Sequence, residues 1–181
     1  MPRCRPEPVP EPMNSEEKSR PHTIVVLVDN ESGVLARVIG LFSGRGYNIE
    51  SLTVAEIDPE QHLSRITIVT SGTQAVIEQI MAQLGRLVPV HTVMDLSVDS
   101  SVERELALVK VRASGDKRAE SLRIAEIFRA RVVDATSESF VFEMTGSVEK
   151  LNVFVRLMQP LGMVDFSRSG VVAMTRGPDE M

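Results

Sequence analysis

The feature that most constrains this chain is an order of hydrophobic periodicities that occurs twice. Ile24 to Val28 is a continuous apolar run rich in β-branched residues, stopped by Asp29-Asn30, and predicts a buried strand. From Gly33 the period changes. Val34, Leu35, Val38, Ile39, Leu41 and Phe42 recur at helical spacing until Gly44 and Gly46 end the pattern. The segments "NIESLTVAEI" and "LSRITIVT", separated by the turn dipeptide Asp58-Pro59, predict an antiparallel hairpin. Val76, Ile77, Ile80, Met81 and Leu84 line a second helix that stops at Gly85. A strand through "RLVPVHTVMDL" follows, with Pro89 placing it at a sheet edge or starting it just there. The second half repeats the order: a strand "ELALVKVRA", a helix through Leu122, Ala125, Ile127 and Phe128, and strands "RVVDAT" and "SFVFEMTG" around a polar turn at Ser137 to Ser139. A helix face of Leu151, Phe154, Val155 and Met158 then ends at Pro160 and Gly162, and one strand over "VDFSRSGVVAMT" closes the unit.

Each β-α-β-β-α-β half is a split-βαβ, ferredoxin-like unit, so the predicted fold class is α+β with two such domains in tandem. A length of 181 residues, 43% hydrophobic, suffices for two small cores. The polar stretch "VDSSVERE" reads as the linker, giving domains over residues 22–99 and 100–177 with the boundary near Ser100. Residues 1–21 hold six prolines, Pro2, Pro6, Pro8, Pro10, Pro12 and Pro21, among mixed charges and few apolar groups. Such a segment cannot offset its own ordering entropy and is expected to be a disordered arm. It lacks the apolar core of a secretory signal, and its acidic residues argue against a transit peptide, so the expected location is cytoplasmic. The single cysteine, Cys4, lies in the arm, which excludes an internal disulfide and a cysteine metal cluster in the folded part. In a ferredoxin-like unit both helices cover one face of the sheet. The opposite face is expected to be bare and to find a partner, either another copy or a different subunit.

Most chemistries are excluded by what the chain lacks. A formal net charge of −5 gives no pull toward phosphate backbones or anionic lipid, and no apolar run approaches the length of a membrane span, so neither nucleic acid nor membrane is an expected partner. His22, His62 and His91 are scattered, with no carboxylate or serine spaced as a partner, and are expected to be solvated or packed. Glu50 and Glu56 share one strand face, which reads more readily as a hydrated face than as a catalytic carboxylate pair. No "HExxH", "GxSxG", "GxxxxGK[ST]" or "GxGxxG" occurs. Aromatic residues make up 4% of the chain, too few for an RNA-stacking platform, and one cysteine cannot hold an iron–sulfur cluster.

What remains is two corners. At "DNESGVL" a strand hands over to a helix, so the free N–H groups around Ser32 to Leu35 and the positive helix end suit a carboxylate. Asn30 and Ser32 are candidate helix caps there, and Gly33 permits a tight turn or close approach of a ligand. After the Gly44/Gly46 corner, Asn48 opens the next strand with an amide that can donate to a carboxylate and accept from an ammonium. Val34, Leu35 and Ile49 add aliphatic surface. A carboxylate binder, an ammonium acceptor and an aliphatic wall together describe a pocket for a free aliphatic amino acid.

"NESGVLARVIGLFSGRGYNIESLTV", "LSRITIVT" and "SRSGVVAMTRG" carry a resemblance to the regulatory small subunits of acetolactate synthase, also called acetohydroxyacid synthase, over about His22 to Gly177. The first half resembles an ACT domain, the amino-acid-sensing form of the ferredoxin-like unit, and the second half resembles that family's ACT-like C-terminal domain. The resemblance implies a non-catalytic subunit that binds and activates a thiamine-diphosphate-dependent catalytic partner and confers feedback inhibition by valine. It implies no cofactor in this subunit, with thiamine diphosphate, Mg2+ and FAD in the partner. It further implies homodimers through the ACT domains, with Asn30, Gly33 and Val34 of one chain and Asn48 and Ile49 of the other around the effector, and Ser32 and Leu35 contributing less. Ala36 stands where some relatives have serine. Ser114-Gly115 replaces "NESG" in the second half, so no equivalent site is expected there. The alternative is a free-standing ACT-type sensor regulating another enzyme or a transcription factor.

Overall fold

The computed structural model describes residues 19–97 and 101–178. The expected arm, apart from its last residues, and the linker position Ser100 lie outside the described residues. In the first domain, β1 (Arg20–Asp29), α1 (Val34–Ser43), β2 (Ser51–Asp58), β3 (Leu63–Gly72), α2 (Gln74–Leu84) and β4 (Val90–Asp95) form an antiparallel sheet in the order β2-β3-β1-β4. The second domain comprises β5 (Ser101–Arg112), α3 (Gly115–Phe128), β6 (Arg131–Ala135), β7 (Ser139–Gly146), α4 (Val148–Met158) and β8 (Met163–Arg168), in the order β6-β7-β5-β8. A final strand, β9 (Val172–Thr175), pairs with the first residues of β5. The two ferredoxin-like units read from the sequence are therefore present, each with the strand order that right-handed βαβ crossovers require.

Strand pleat decides which residues reach each core. Ile24 and Val26 sit opposite Ile68 and Ile66 across the β1–β3 ladder, and with Val28 they meet Val34, Val38 and Phe42 of α1 and Ile77, Ile80 and Leu84 of α2. In the second domain Ala107, Val109 and Val111 of β5, with Phe140, Phe142 and Met144 of β7, meet Leu151, Phe154 and Met158 of α4. The Phe142 and Phe154 rings stand edge to face at 6.4 Å, a favoured aromatic geometry. Each fully buried side chain of this size contributes about 1.5–3 kcal/mol.

The structure departs from the sequence reading at several points. β1 begins at Arg20, so Arg20 and Pro21, expected in the arm, pair with Gly72 and Ser71. Residues 101–105, read as linker and strand start, belong to a twelve-residue β5 long enough to take β8 on one stretch and β9 on another. Ile127, placed on the buried face of α3, is 70% exposed, because Ser121 and Ala125 define that face. The closing strand is two strands, broken over Ser169 to Val171, where Gly170 takes φ +83°. The break redirects the chain onto the first domain. Val25 points to the side of its sheet away from the helices, yet it is fully buried, packed in a small core with Leu96 and Ala173 and with Met94 against it. The open face of the first sheet is thus covered in part by the C-terminal end of the same chain.

Candidate functional site

The first corner is built by three elements. β1 ends at Asp29, the β2–β3 loop holds the next residue through an Asn30 N–H donating to the His62 carbonyl at 2.6 Å, and α1 starts after Gly33. His62 itself has φ +52°, a conformation that brings its carbonyl to the corner. Asn30 Nδ2 donates to Glu56 Oε1 on β2 at 2.9 Å, which fixes the amide's orientation. Neither Asn30 nor Ser32 caps α1. The N-cap is Gly33 at φ +89°, ψ −7°, and no side chain accepts from the first turn. The Val34 N–H reaches the Glu31 carbonyl at 3.4 Å, and the helix end otherwise keeps its positive dipole without a capping side chain. A β-carbon at Gly33 would meet nothing within 4 Å, so its glycine is required by backbone angle and not by crowding.

The second corner is held by backbone and aromatic contacts. Gly44 and Gly46 turn the chain back so that the Tyr47 N–H donates to the Phe42 carbonyl at 3.0 Å, with the Tyr47 ring edge-on to Phe42 at 6.3 Å. Tyr47 Oη donates to Gln79 Oε1 of α2 at 3.2 Å. The Asn48 carbonyl accepts from Thr70 Oγ1 at 2.6 Å, which leaves the exposed Asn48 side chain pointing from a fixed backbone. Asn48 precedes β2, which begins at Ser51, and so lies in the loop and not at the strand's first position. Ile49 packs on the core of its own domain.

Of the seven candidate residues, Asn30, Ser32, Gly33 and Leu35 are exposed around the first corner, Val34 is buried beneath it, and Asn48 and Ile49 stand at the other. α1 has ten residues. At about 1.5 Å per residue it separates the corners by roughly 15 Å, so one chain does not gather all seven around a small molecule.

Sequence reasoning missed Glu56 as a member of this site. It also left the histidines without carboxylates, where the fold supplies two. His22 Nδ1 lies 2.8 Å from Asp95 Oδ2, fully buried, and His91 Nε2 lies 2.7 Å from Asp29 Oδ1 beside the first corner. Both pairs join β1 to β4, over 73 and 62 residues of sequence. Among the described residues no group of three or more His, Cys, Asp or Glu side chains could hold a metal ion, and no helix is long and apolar enough to cross a membrane. A cleft of about 470 Å³ lies between the domains, just beyond the Asn48 corner, lined by Ser51, Glu105, Arg168 and Gly170 among others. The cation lining it is not free, because Arg168 donates to both oxygens of Glu105 and to Asn152 Oδ1.

The first ferredoxin-like unit, with its glycine-bearing strand-to-helix corner, is an ACT domain: residues 24–92 match the "AHAS small subunit-like ACT domain". Residues 104–177 match the family described as "Small subunit of acetolactate synthase". A probable acetolactate synthase small subunit from Archaeoglobus fulgidus is 49% identical over 86% of this chain and 97% of its own length. The acetolactate synthase isozyme 3 small subunit of Escherichia coli is 49% identical over 84% of this chain and 93% of its own. The crystal structure of the Thermotoga maritima acetolactate synthase small subunit superposes with a TM-score of 0.79 at 39% identity, covering 88% of this chain and 99% of that one. The chain belongs to the acetolactate synthase small-subunit family.

Proposed function

We propose that this protein is the regulatory subunit of a cytoplasmic acetolactate synthase: it binds and activates a catalytic large subunit, performs no chemistry itself, and transmits feedback inhibition by valine. The thiamine diphosphate, Mg2+ and FAD of the holoenzyme belong, on this reading, to the catalytic partner. The observation that carries the effector assignment is the separation of the two corners. Asn30 is tied to Glu56, near the far end of β2, while Asn48 lies just before the start of that strand, and β2 is a sheet edge. If two β2 edges pair antiparallel about a two-fold axis, the Asn48 end of one strand runs alongside the Glu56 end of the other. Each Asn48 then faces the partner's Asn30 corner. Two equivalent pockets result, each with an uncapped helix end for the carboxylate, amide groups for the ammonium, and Val34, Leu35 and Ile49 as the aliphatic wall. Valine inhibits in this scheme because it binds one arrangement of the dimer more tightly than another, and a coupling of about 1–3 kcal/mol suffices.

The test is reconstitution. The protein is mixed with its thiamine-dependent catalytic partner, and acetolactate formation is measured with and without valine. Activation by the subunit, reversed by valine, is expected. A catalytic partner indifferent to the subunit would contradict the proposal.

A further inference from the structure

The break in the closing strand does more than end a sheet. Over Ser169 to Val171 the chain leaves β8 and runs against the open face of the first sheet, where it continues as β9, with Val172 and Ala173 paired to Arg104 and Glu103 of β5. At its start it is fastened to the second domain: the Ser169 N–H donates to the Leu106 carbonyl at 3.0 Å, and Ser169 Oγ accepts from the Leu106 N–H at 3.1 Å. It then makes contacts with the first domain. On β2, the Val171 N–H donates to Ser51 Oγ at 3.0 Å, and Thr53 Oγ1 makes a long contact of 3.5 Å to the Ser169 carbonyl. On β3, Arg65 Nη2 donates to the Ala173 carbonyl at 2.8 Å, and burial pulls this guanidinium below its ordinary pKa while it stays charged. Beyond β3, Ala173 is buried in one cluster with Val25 of β1 and with Leu96, and Met94 of β4 packs against that cluster.

The tightest point of this crossing is Gly170. A β-carbon there would lie 2.7 Å from Thr53 Oγ1 and 2.9 Å from Ser51 Oγ, on a backbone whose φ of +83° already disfavours side chains. Any side chain there would have to push aside the Thr53 and Ser51 hydroxyls.

We propose that Ser169 to Ala173 is a strap that couples the β2 edge to the second domain, so that a ligand or partner copy settling against Asn48 and β2 is sensed across the domain boundary through Ser51 and Val171. This inference rests on the reading of the Asn30/Asn48 corners as an effector site. Its physical basis is proximity along a short stretch of chain fastened to β3. Ser51 lies three residues beyond Asn48, and Thr70 and Val69 of β3 hold the residues between through the Asn48 carbonyl and the Glu50 N–H. A displacement at Asn48 therefore reaches Ser51, the first residue of the β2–β3 ladder, through two intervening residues. The Val171 N–H and the narrow gap at Gly170 are the groups that must follow. The cleft beside the strap, with the Glu105–Arg168 pair on its other wall, gives the domains room to shift about it.

The experiment uses the full-length protein with its catalytic partner and two variants that act on one contact from opposite sides, Ser51→Ala and Gly170→Ala. Valine affinity is measured by calorimetry on the free subunit, and inhibition of acetolactate formation is measured at saturating valine in the reconstituted enzyme. The strap predicts that Ser51→Ala keeps valine affinity within about threefold while maximal inhibition falls by about half or more, as loss of a coupling term requires. Gly170→Ala should show the same separation of binding from inhibition. Undiminished inhibition in Ser51→Ala, with binding intact, would overturn the strap alone. Absence of valine binding by the unmodified protein would instead overturn the reading of the site, and the strap's role with it. Should Gly170→Ala fold poorly, Ser51→Ala decides, since it removes one hydroxyl from an edge strand.

Discussion

Asn30 and Asn48 have the same side chain and opposite circumstances. Asn30 is clamped through backbone and side chain, to His62 and Glu56, whereas the Asn48 side chain stands exposed on a backbone held by Thr70. On the proposed reading Asn48→Ala removes an amide contact to a charged ligand, so valine affinity should fall about tenfold or more in a calorimetric titration. Thermal unfolding should be unchanged, because the Asn48 contact to Thr70 is made by the backbone. Gly33→Ala tests the other corner: open space around the site removes any steric cost, leaving about 1–2 kcal/mol of left-handed strain, readable as a lower urea midpoint at constant slope. Phe42→Ala, by contrast, empties a fully buried site at the meeting of α1 and the sheet and should cost about 3–5 kcal/mol in the same assay. Phe42 and Gly33 were legible because helical period and corner position are local properties. Glu56 and the Asp95 partner of His22 were not. Their roles depend on which strands lie side by side, and no spacing in the sequence states that 22 meets 95.

Elements were legible wherever apolar periodicity was strong and glycine or proline marked the ends, as for α1 before Gly44 and β4 after Pro89. They were obscured where geometry replaced such marks. α3 is capped by Arg129 in a left-handed conformation that the sequence would assign to glycine, and the closing strand was read as continuous although the turn dipeptide Ser169-Gly170 marks its break. The start of α4 gives a prediction at this scale. Ser147 Oγ accepts from the Lys150 N–H, and the carboxylate of Glu149 is held below its ordinary pKa chiefly by its own backbone N–H and then by the Ser147 hydroxyl. Ser147→Ala should therefore cost about 1 kcal/mol at neutral pH in urea unfolding. Because the folded-state pKa of Glu149 is depressed, its share is present above the unfolded carboxylate value and is lost as pH falls through the folded one. The gap between Ser147→Ala and the parent protein should narrow below about pH 4, and only slightly, since an exposed carboxylate is screened by solvent. A gap that widened on acidification would contradict the assignment.

At the scale of the whole molecule, the element order implied two units, but the contact between them was invisible until the fold was known. An open sheet face was expected to seek a second chain, and its own C-terminal end partly covers it, burying Val25 and Ala173. On the proposed reading the β2 edge is where another copy extends the sheet and brings an Asn48 to a foreign Asn30. Mixing two defective chains measures this most directly. Asn30→Ala and Asn48→Ala dimers, each unable to bind valine at the native affinity, are allowed to exchange subunits and are then titrated calorimetrically. If the pocket is shared between chains, each mixed dimer regains one intact site, and random exchange restores about a quarter of the native capacity at native affinity. A pocket formed within one chain would be broken in every molecule, and the mixture would regain nothing.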